Sequence, residues 1–359
     1  MKKFCIFCGE KPISKSREHI IPLWLLRATG KPDRKVNLGL DFGIDGTKKR
    51  SFSFNSLHFP ACSACNNIFS KLEAANETII DKILTKQEID QFEITLLLDW
   101  LDKIRVGLWL GYHQLDNNLF NIKPNYYVAH RIRNADRMFA LYRIKENFKG
   151  VSFGFIQSPV FSYNPICFFI FINKICIFNL STTFLFAHNL GFPYPEKILY
   201  DGNIDGLRIN KMNIGKHKIK KPIYRKPLIL PSFEVYQTIW NNDIIDYCND
   251  YYNTDYVKAN TLSSKLNCSK IFLNRHNNIT IVEDKIDTNT KEFNILELDK
   301  KITKLTINTL NDLISRIEFT EDTPNETVIK TKKRYKGAIQ ANNIQEKLRL
   351  NLLDQFYTK

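Results

Sequence analysis

The sequence predicts an α+β protein in which a small cysteine-bearing N-terminal domain precedes a larger α+β region. Three observations carry this. Two Cys-x2-Cys pairs, Cys5/Cys8 and Cys62/Cys65, frame short apolar runs and turn residues. Apolar residues (Ile89, Phe92, Leu96, Leu97, Trp100, Ile104, Leu108, Leu110) then recur at three- and four-residue spacing from about Gln87 to Leu115, the period of a helix. Beyond it, from roughly Tyr126 to Phe186, the chain is rich in aromatic and β-branched residues and reads as strands.

Taken in order, the N-terminal domain is expected over 1–84. Its polar, Gly-containing stretch from Lys31 to Asn55 reads as a loop, and a helix begins at Ser63, with Ile68, Phe69, Leu72 and Ala75 marking one side. The remainder, 85–359, divides into the long helix 87–115, a strand-rich block 126–190 and a helical part 230–359. Strands are expected at Met138–Ile144 and Val151–Ile156, helices at Phe233–Tyr252 and Leu296–Ile317, and a hairpin around Asn277-Asn278. Basic clusters lie at Lys216–Arg225 and at Lys330–Lys336, the latter before a short amphipathic helix. The topology of this region does not follow from the pattern. Target recognition or regulation is its expected role.

Composition narrows the function classes. With 43% hydrophobic and 13% aromatic residues there is ample core material, which argues against wholesale disorder. A formal net charge of +15 favours a polyanionic partner, nucleic acid or an anionic membrane surface. The window Ile166–Phe186 is apolar enough to suggest a membrane span, but Asn173 and Lys174 interrupt it. Burying that lysine at the midplane costs about 2.5–3.5 kcal/mol. Cys167–Ile172, a two-residue turn and Ile175–Leu180 make a buried β-hairpin instead. No apolar segment precedes Cys5, so a soluble, cytoplasmic protein is expected. Trp24, Trp100, Trp109 and Trp240 fall in apolar contexts and are expected in the core.

In a reducing compartment the two cysteine pairs read as a metal site, and Cys167, Cys176, Cys248 and Cys268 as small core residues. Two such pairs can each turn their thiolates to one centre, the ligand field of a tetrahedral structural zinc; Gly9 lets the first turn close. Between the pairs lies Arg17-Glu18-His19-Ile20-Ile21-Pro22. A carboxylate suits a hard cation, and an imidazole can take a proton from water near neutral pH. On a strand the two side chains point to opposite faces, so a further ligand must come from another element. Asn66, directly after Cys65, can supply it.

Cys5-x2-Cys8, Glu18-His19-Ile20-Ile21-Pro22 and Cys62-x2-Cys65-Asn66 together resemble the HNH endonuclease family, in the branch whose treble-clef-like ββα-metal finger is stapled by a four-cysteine zinc. Phage junction-resolving endonucleases and many bacterial restriction and antiphage-defence nucleases share that layout. The resemblance covers the N-terminal domain alone and implies a metal-dependent hydrolase acting on the phosphodiester bonds of DNA. Position by position, it makes His19 the general base, and Glu18 and Asn66 the ligands of a catalytic Mg2+ or Mn2+. Cys5, Cys8, Cys62 and Cys65 become the structural zinc site. The family often has Asp where Glu18 stands. The middle residue of its signature, which orients the base, is open here between Asn55 and His58. Arg17, Lys48, Lys49 and Arg50 are candidate nucleic-acid contacts. An RNase or toxin using the same site, and a zinc finger that binds nucleic acid without cutting it, are the alternatives. A homo-oligomer or a defence-system partner subunit is compatible with either.

Overall fold

The computed structural model describes residues 4–12, 14–43, 46–115, 124–154, 164–183, 194–195, 198–201, 206–209, 212–213, 233–238, 269–275, 278–315 and 317–357. In the N-terminal part, strand β1 (Lys15–His19) leads through Pro22 into the short helix α1 (Leu23–Ala28). Strands β2 (Lys35–Gly43) and β3 (Gly46–Ser53) follow, then a single 3-10 turn (Phe54–Ser56), strand β4 (His58–Cys62) and helix α2 (Ser63–Leu84). β4 returns antiparallel to β1, with Lys15 opposite Cys62 and His19 opposite His58. The expected loop over 31–55 is instead largely the β2–β3 hairpin, with an irregularity between Asn37 and Leu40. A ladder of main-chain hydrogen bonds forms as readily from polar as from apolar residues, so apolar periodicity does not announce it.

β5 (Glu88–Asp90) and helix α3 (Gln91–Leu115) come next, close to the expected long helix. After α4 (Val128–Arg131) the chain forms β6 (Asp136–Ile144), β7 (Val151–Gly154), β8 (Cys167–Ile172) and β9 (Ile175–Thr182). The apolar window that could have suggested a membrane span is the β8–β9 hairpin, which reverses through Asn173 at φ 48°. No helix among the described residues is long and apolar enough to cross a membrane. Short strands follow: β10 (Tyr194–Pro195), β11 (Ile198–Asp201), β12 (Gly206–Ile209) and β13 (Met212–Asn213). The chain is completed by β14 (Phe233–Gln237), β15 (Ile271–Arg275), β16 (Asn278–Ile281), β17 (Lys285–Asp287), β18 (Glu292–Phe293), α5 (Ile295–Ser315), β19 (Glu318–Phe319) and α6 (Asn325–Tyr357).

The architecture is α+β. Its centre is a sheet in the order β16-β15-β14-β6-β9-β8-β7, antiparallel throughout, with β18 joining β6 in parallel. Every residue of β6 and β8 is buried, because both faces are covered. Phe139, Leu141, Ile170 and Ile177 face the core shared with α3 and the cysteine-bearing unit. Met138, Tyr142, Phe171 and Phe178 face α5, against which α6 also packs. Cys167 and Cys176 are small core residues of this sheet, as expected; Cys248 and Cys268 lie outside the described residues.

Two expectations for 230–359 are corrected. Phe233–Gln237 is a strand in the middle of the sheet rather than the start of a helix over Phe233–Tyr252, and 239–252 lie outside the described residues. Val235 faces one core and Tyr236 the other, so burial on both sides removes the alternation that marks a strand. The cluster Lys330–Lys336 does not precede a short helix but lies inside a 33-residue one, since Lys and Arg are good helix formers on an exposed face. The cluster Lys216–Arg225 lies outside the described residues.

Candidate functional site

The four-cysteine cluster is built by two turns brought together by the β1–β4 pair. Gly9 closes the first turn at φ 82°, its N–H donating to the Cys5 carbonyl at 2.8 Å. A Cβ there would overlap the Tyr127 ring, so two independent reasons demand glycine. β4 ends at Cys62, and α2 begins at once, which carries Cys65 round its first turn. The four sulfurs of Cys5, Cys8, Cys62 and Cys65 lie within 4.8 Å of one another, and Cys8 and Cys62 are 3.9 Å apart. Tetrahedral zinc with bonds of about 2.3 Å places its sulfurs about 3.8 Å apart, so the cluster can hold a zinc ion.

The electrostatics agree. Burial pushes the Cys5 thiol up, but the backbone N–H groups of Cys62, Cys8 and Phe7 outweigh it and leave Cys5 below the usual thiol value. Loss of solvent, then the neighbouring sulfurs, push Cys62 up to about 11 and Cys65 to about 12. One thiolate is favoured and its neighbours resist ionising beside it; a cation relieves that conflict.

His19 ends β1 on its outer face. Successive residues alternate: Ser16 and Glu18 turn inward towards α2 and α3, while Arg17 is exposed and His19 half-buried. The His19 Nε2–H donates to Asn55 Oδ1 at 3.1 Å, which leaves Nδ1 as an acceptor. His58, directly opposite on β4, donates from Nδ1 to the Asn55 carbonyl at 3.1 Å. The two imidazole centroids are 5.7 Å apart. Asn55 therefore touches both histidines, one through its side chain and one through its backbone.

Glu18 is placed differently. It is 6% exposed, and the Lys103 ammonium from α3 lies 2.5 Å from its carboxylate. Lys103, itself 2% exposed, also contacts Glu73 of α2 and the His19 carbonyl, the latter at 3.5 Å. It reaches this point because α3 is flat on that side. Ile20 lies 3.2 Å and Phe59 2.6 Å from where side chains would begin at Gly107 and Gly111, so the hairpin rests almost against the helix backbone. Asn66 lies in the first turn of α2 near the inner face of β1, where its Nδ2 donates to Ser16 Oγ at 2.7 Å. The two residues expected to hold Mg2+ or Mn2+ are each bonded to another partner, Glu18 to Lys103 and Asn66 to Ser16.

Arg17 is exposed on the side of β1 that carries His19. Lys48, Lys49 and Arg50 fall in β3, whose backbone pairs with β2. Lys103 and Glu73 escaped the sequence reading. A signal was present: Asp99, Asp102, Lys103 and Arg105 crowd seven residues of a helix that is otherwise apolar, which calls for internal ion pairs. They are made, since Arg105 bonds Asp102 at 2.6 Å and Arg137 of β6 bonds Asp99 at 2.5 Å, all buried. No protein-family model, no curated protein and no solved structure matches this chain.

Proposed function

We propose that the protein is an HNH-type endonuclease that hydrolyses phosphodiester bonds of DNA, with a structural zinc on Cys5, Cys8, Cys62 and Cys65 and with His19 as general base. The observation that carries the reading is the His19–Asn55 bond on the outer face of β1. It holds the ring and leaves Nδ1 free to accept a proton from water, which is the role of the middle residue that the sequence left open between Asn55 and His58. Support also comes from the frame: two antiparallel strands run into a helix whose start is pinned by the four cysteines. Arg17, exposed beside His19, can meet a phosphate oxygen.

A catalytic Mg2+ or Mn2+ on Glu18 would have to compete with an ion pair already made. The Lys103 ammonium is shared between Glu18 and Glu73, and Asn66 donates its Nδ2–H to Ser16. Glu18 is better read as the residue that ties β1 to α3 and so sets the position of His19.

The test is cleavage of supercoiled plasmid and of total RNA by the parent and by His19→Ala, each with added Mg2+ or Mn2+ and with EDTA. Plasmid cutting by the parent, reduced about 10²–10⁴-fold in the variant, is expected. Cutting of RNA alone would move the substrate to RNA. Equal cutting by both forms would remove His19 from the chemistry and leave a nucleic-acid-binding zinc module.

A further inference from the structure

Phosphodiester hydrolysis needs two charge-handling events: a proton leaves the attacking water, and the departing oxygen acquires a proton or a cation. His19 accounts for the first. The carboxylate that would have held a cation for the second is occupied by Lys103. We infer that His58 is a second catalytic residue, the general acid that protonates the departing 3′ oxygen. The inference rests on the reading of His19 as general base.

A cross-strand histidine pair on a surface strand pair can be no more than two solvated rings. What sets this pair apart is its shared anchoring on one residue. Asn55 Oδ1 accepts from His19 Nε2–H, so the lone pair of His19 sits on Nδ1. The Asn55 carbonyl accepts from His58 Nδ1–H, so on His58 it is Nε2 that gains and gives a proton. Each ring thereby keeps one nitrogen to take or give a proton, the complement that a base and an acid acting on one phosphodiester need. Both are partly exposed on the same side of the β1–β4 pair, next to the exposed Arg17. Their centroids are 5.7 Å apart, tilted by 57°. That is too far for the rings to bond each other, but it lets each come within about 2.6–3.2 Å of a different oxygen of one phosphodiester.

The step balances. A water proton passes to His19 Nδ1 as the water oxygen bonds to phosphorus. The P–O3′ bond breaks with its electron pair on O3′, which takes the Nε2 proton of His58. The products are a 5′-phosphate and a 3′-hydroxyl, and the proton returns from His19 to His58 through solvent.

The experiment compares two DNA duplexes at the position the parent cuts, one with the natural P–O3′ bond and one with a P–S3′ bond, whose thiolate leaves without protonation. His58→Ala is expected to cut the oxygen duplex about 10²–10³-fold more slowly than the parent and the sulfur duplex within about tenfold of it. His19→Ala is expected to be slow on both. His58→Gln, which keeps a donor for the Asn55 carbonyl, gives the same pattern and carries the test should the alanine variant fail to fold. A His58 variant as fast as the parent on oxygen, or equally slow on both duplexes, overturns the inference and leaves His19 untouched. His19→Ala cutting like the parent, or a parent that cuts neither duplex, overturns the His19 reading and this inference with it.

Discussion

At the scale of single residues, Lys103 lies buried between two carboxylates, Glu18 and Glu73, so the cluster carries one negative charge too many. The excess falls on Glu73. Burial raises it first, the Lys103 charge pulls it back, and Glu18 raises it again, leaving it at about 7 against 4.5 for a free glutamate. Burial works against the Lys103 charge, but Glu73 and Glu18 overcome it and lift Lys103 above its usual value, so it stays charged throughout this range. Between about pH 4.5 and 7 the folded protein holds a proton on Glu73 that the unfolded chain has lost. Stability from this group is therefore fully present below about pH 4.5 and falls as the pH rises through 7. Glu73→Gln removes that slope. In urea unfolding followed across this range, the variant is expected to gain about 1–3 kcal/mol on the parent from the acid to the neutral end. A constant difference would mean that Glu73 titrates like a free side chain.

At the scale of elements, α2 starts at a residue that does not cap it. Cys62 occupies the N-cap position in extended conformation, with no side-chain hydrogen bond to the first turn. Serine there would cap the helix better by about 1 kcal/mol. If nothing held the four sulfurs, Cys62→Ser would be neutral or stabilising. If zinc joins the four sulfurs, elemental analysis is expected to find one zinc per chain in the parent and less in the variant, which also loses about 3 kcal/mol or more of stability. The same element shows why part of the site was legible. The four cysteines are paired within turns, so spacing alone named the cluster. The long helix was legible from its local apolar period, and the β8–β9 hairpin from two apolar runs broken by the Asn173-Lys174 turn. Strand β14 was not, since burial on both faces erased its alternation, and Ile68, expected on the buried side of α2, is 67% exposed.

At the scale of the molecule, the net charge of +15 becomes a surface. Lys330, Lys332, Lys333, Arg334 and Lys336 are exposed on α6, a helix that packs on α5 through contacts such as Arg349–Asp299 at 2.8 Å. For a protein that binds DNA, such lysines release counterions from the backbone. Replacing Lys330, Lys333 and Lys336 together by glutamine is expected to lower the salt-dependence slope of duplex binding by up to about 3, while leaving zinc content unchanged. An unaltered slope would put the DNA path on another face.

Short-range pattern was enough to name the four cysteines, the α3 helix and the β8–β9 hairpin, because each depends on residues within a few positions of one another. The partners were a matter of distance along the chain. Asn55 meets His19 across 36 positions, and Lys103 reaches Glu18 across 85. Such contacts come from how β4 pairs with β1 and how closely Gly107 and Gly111 let α3 approach. A side chain's type says what it can bond; which bond it makes is set by packing, and here packing gave Glu18 to a lysine and brought His58 to His19.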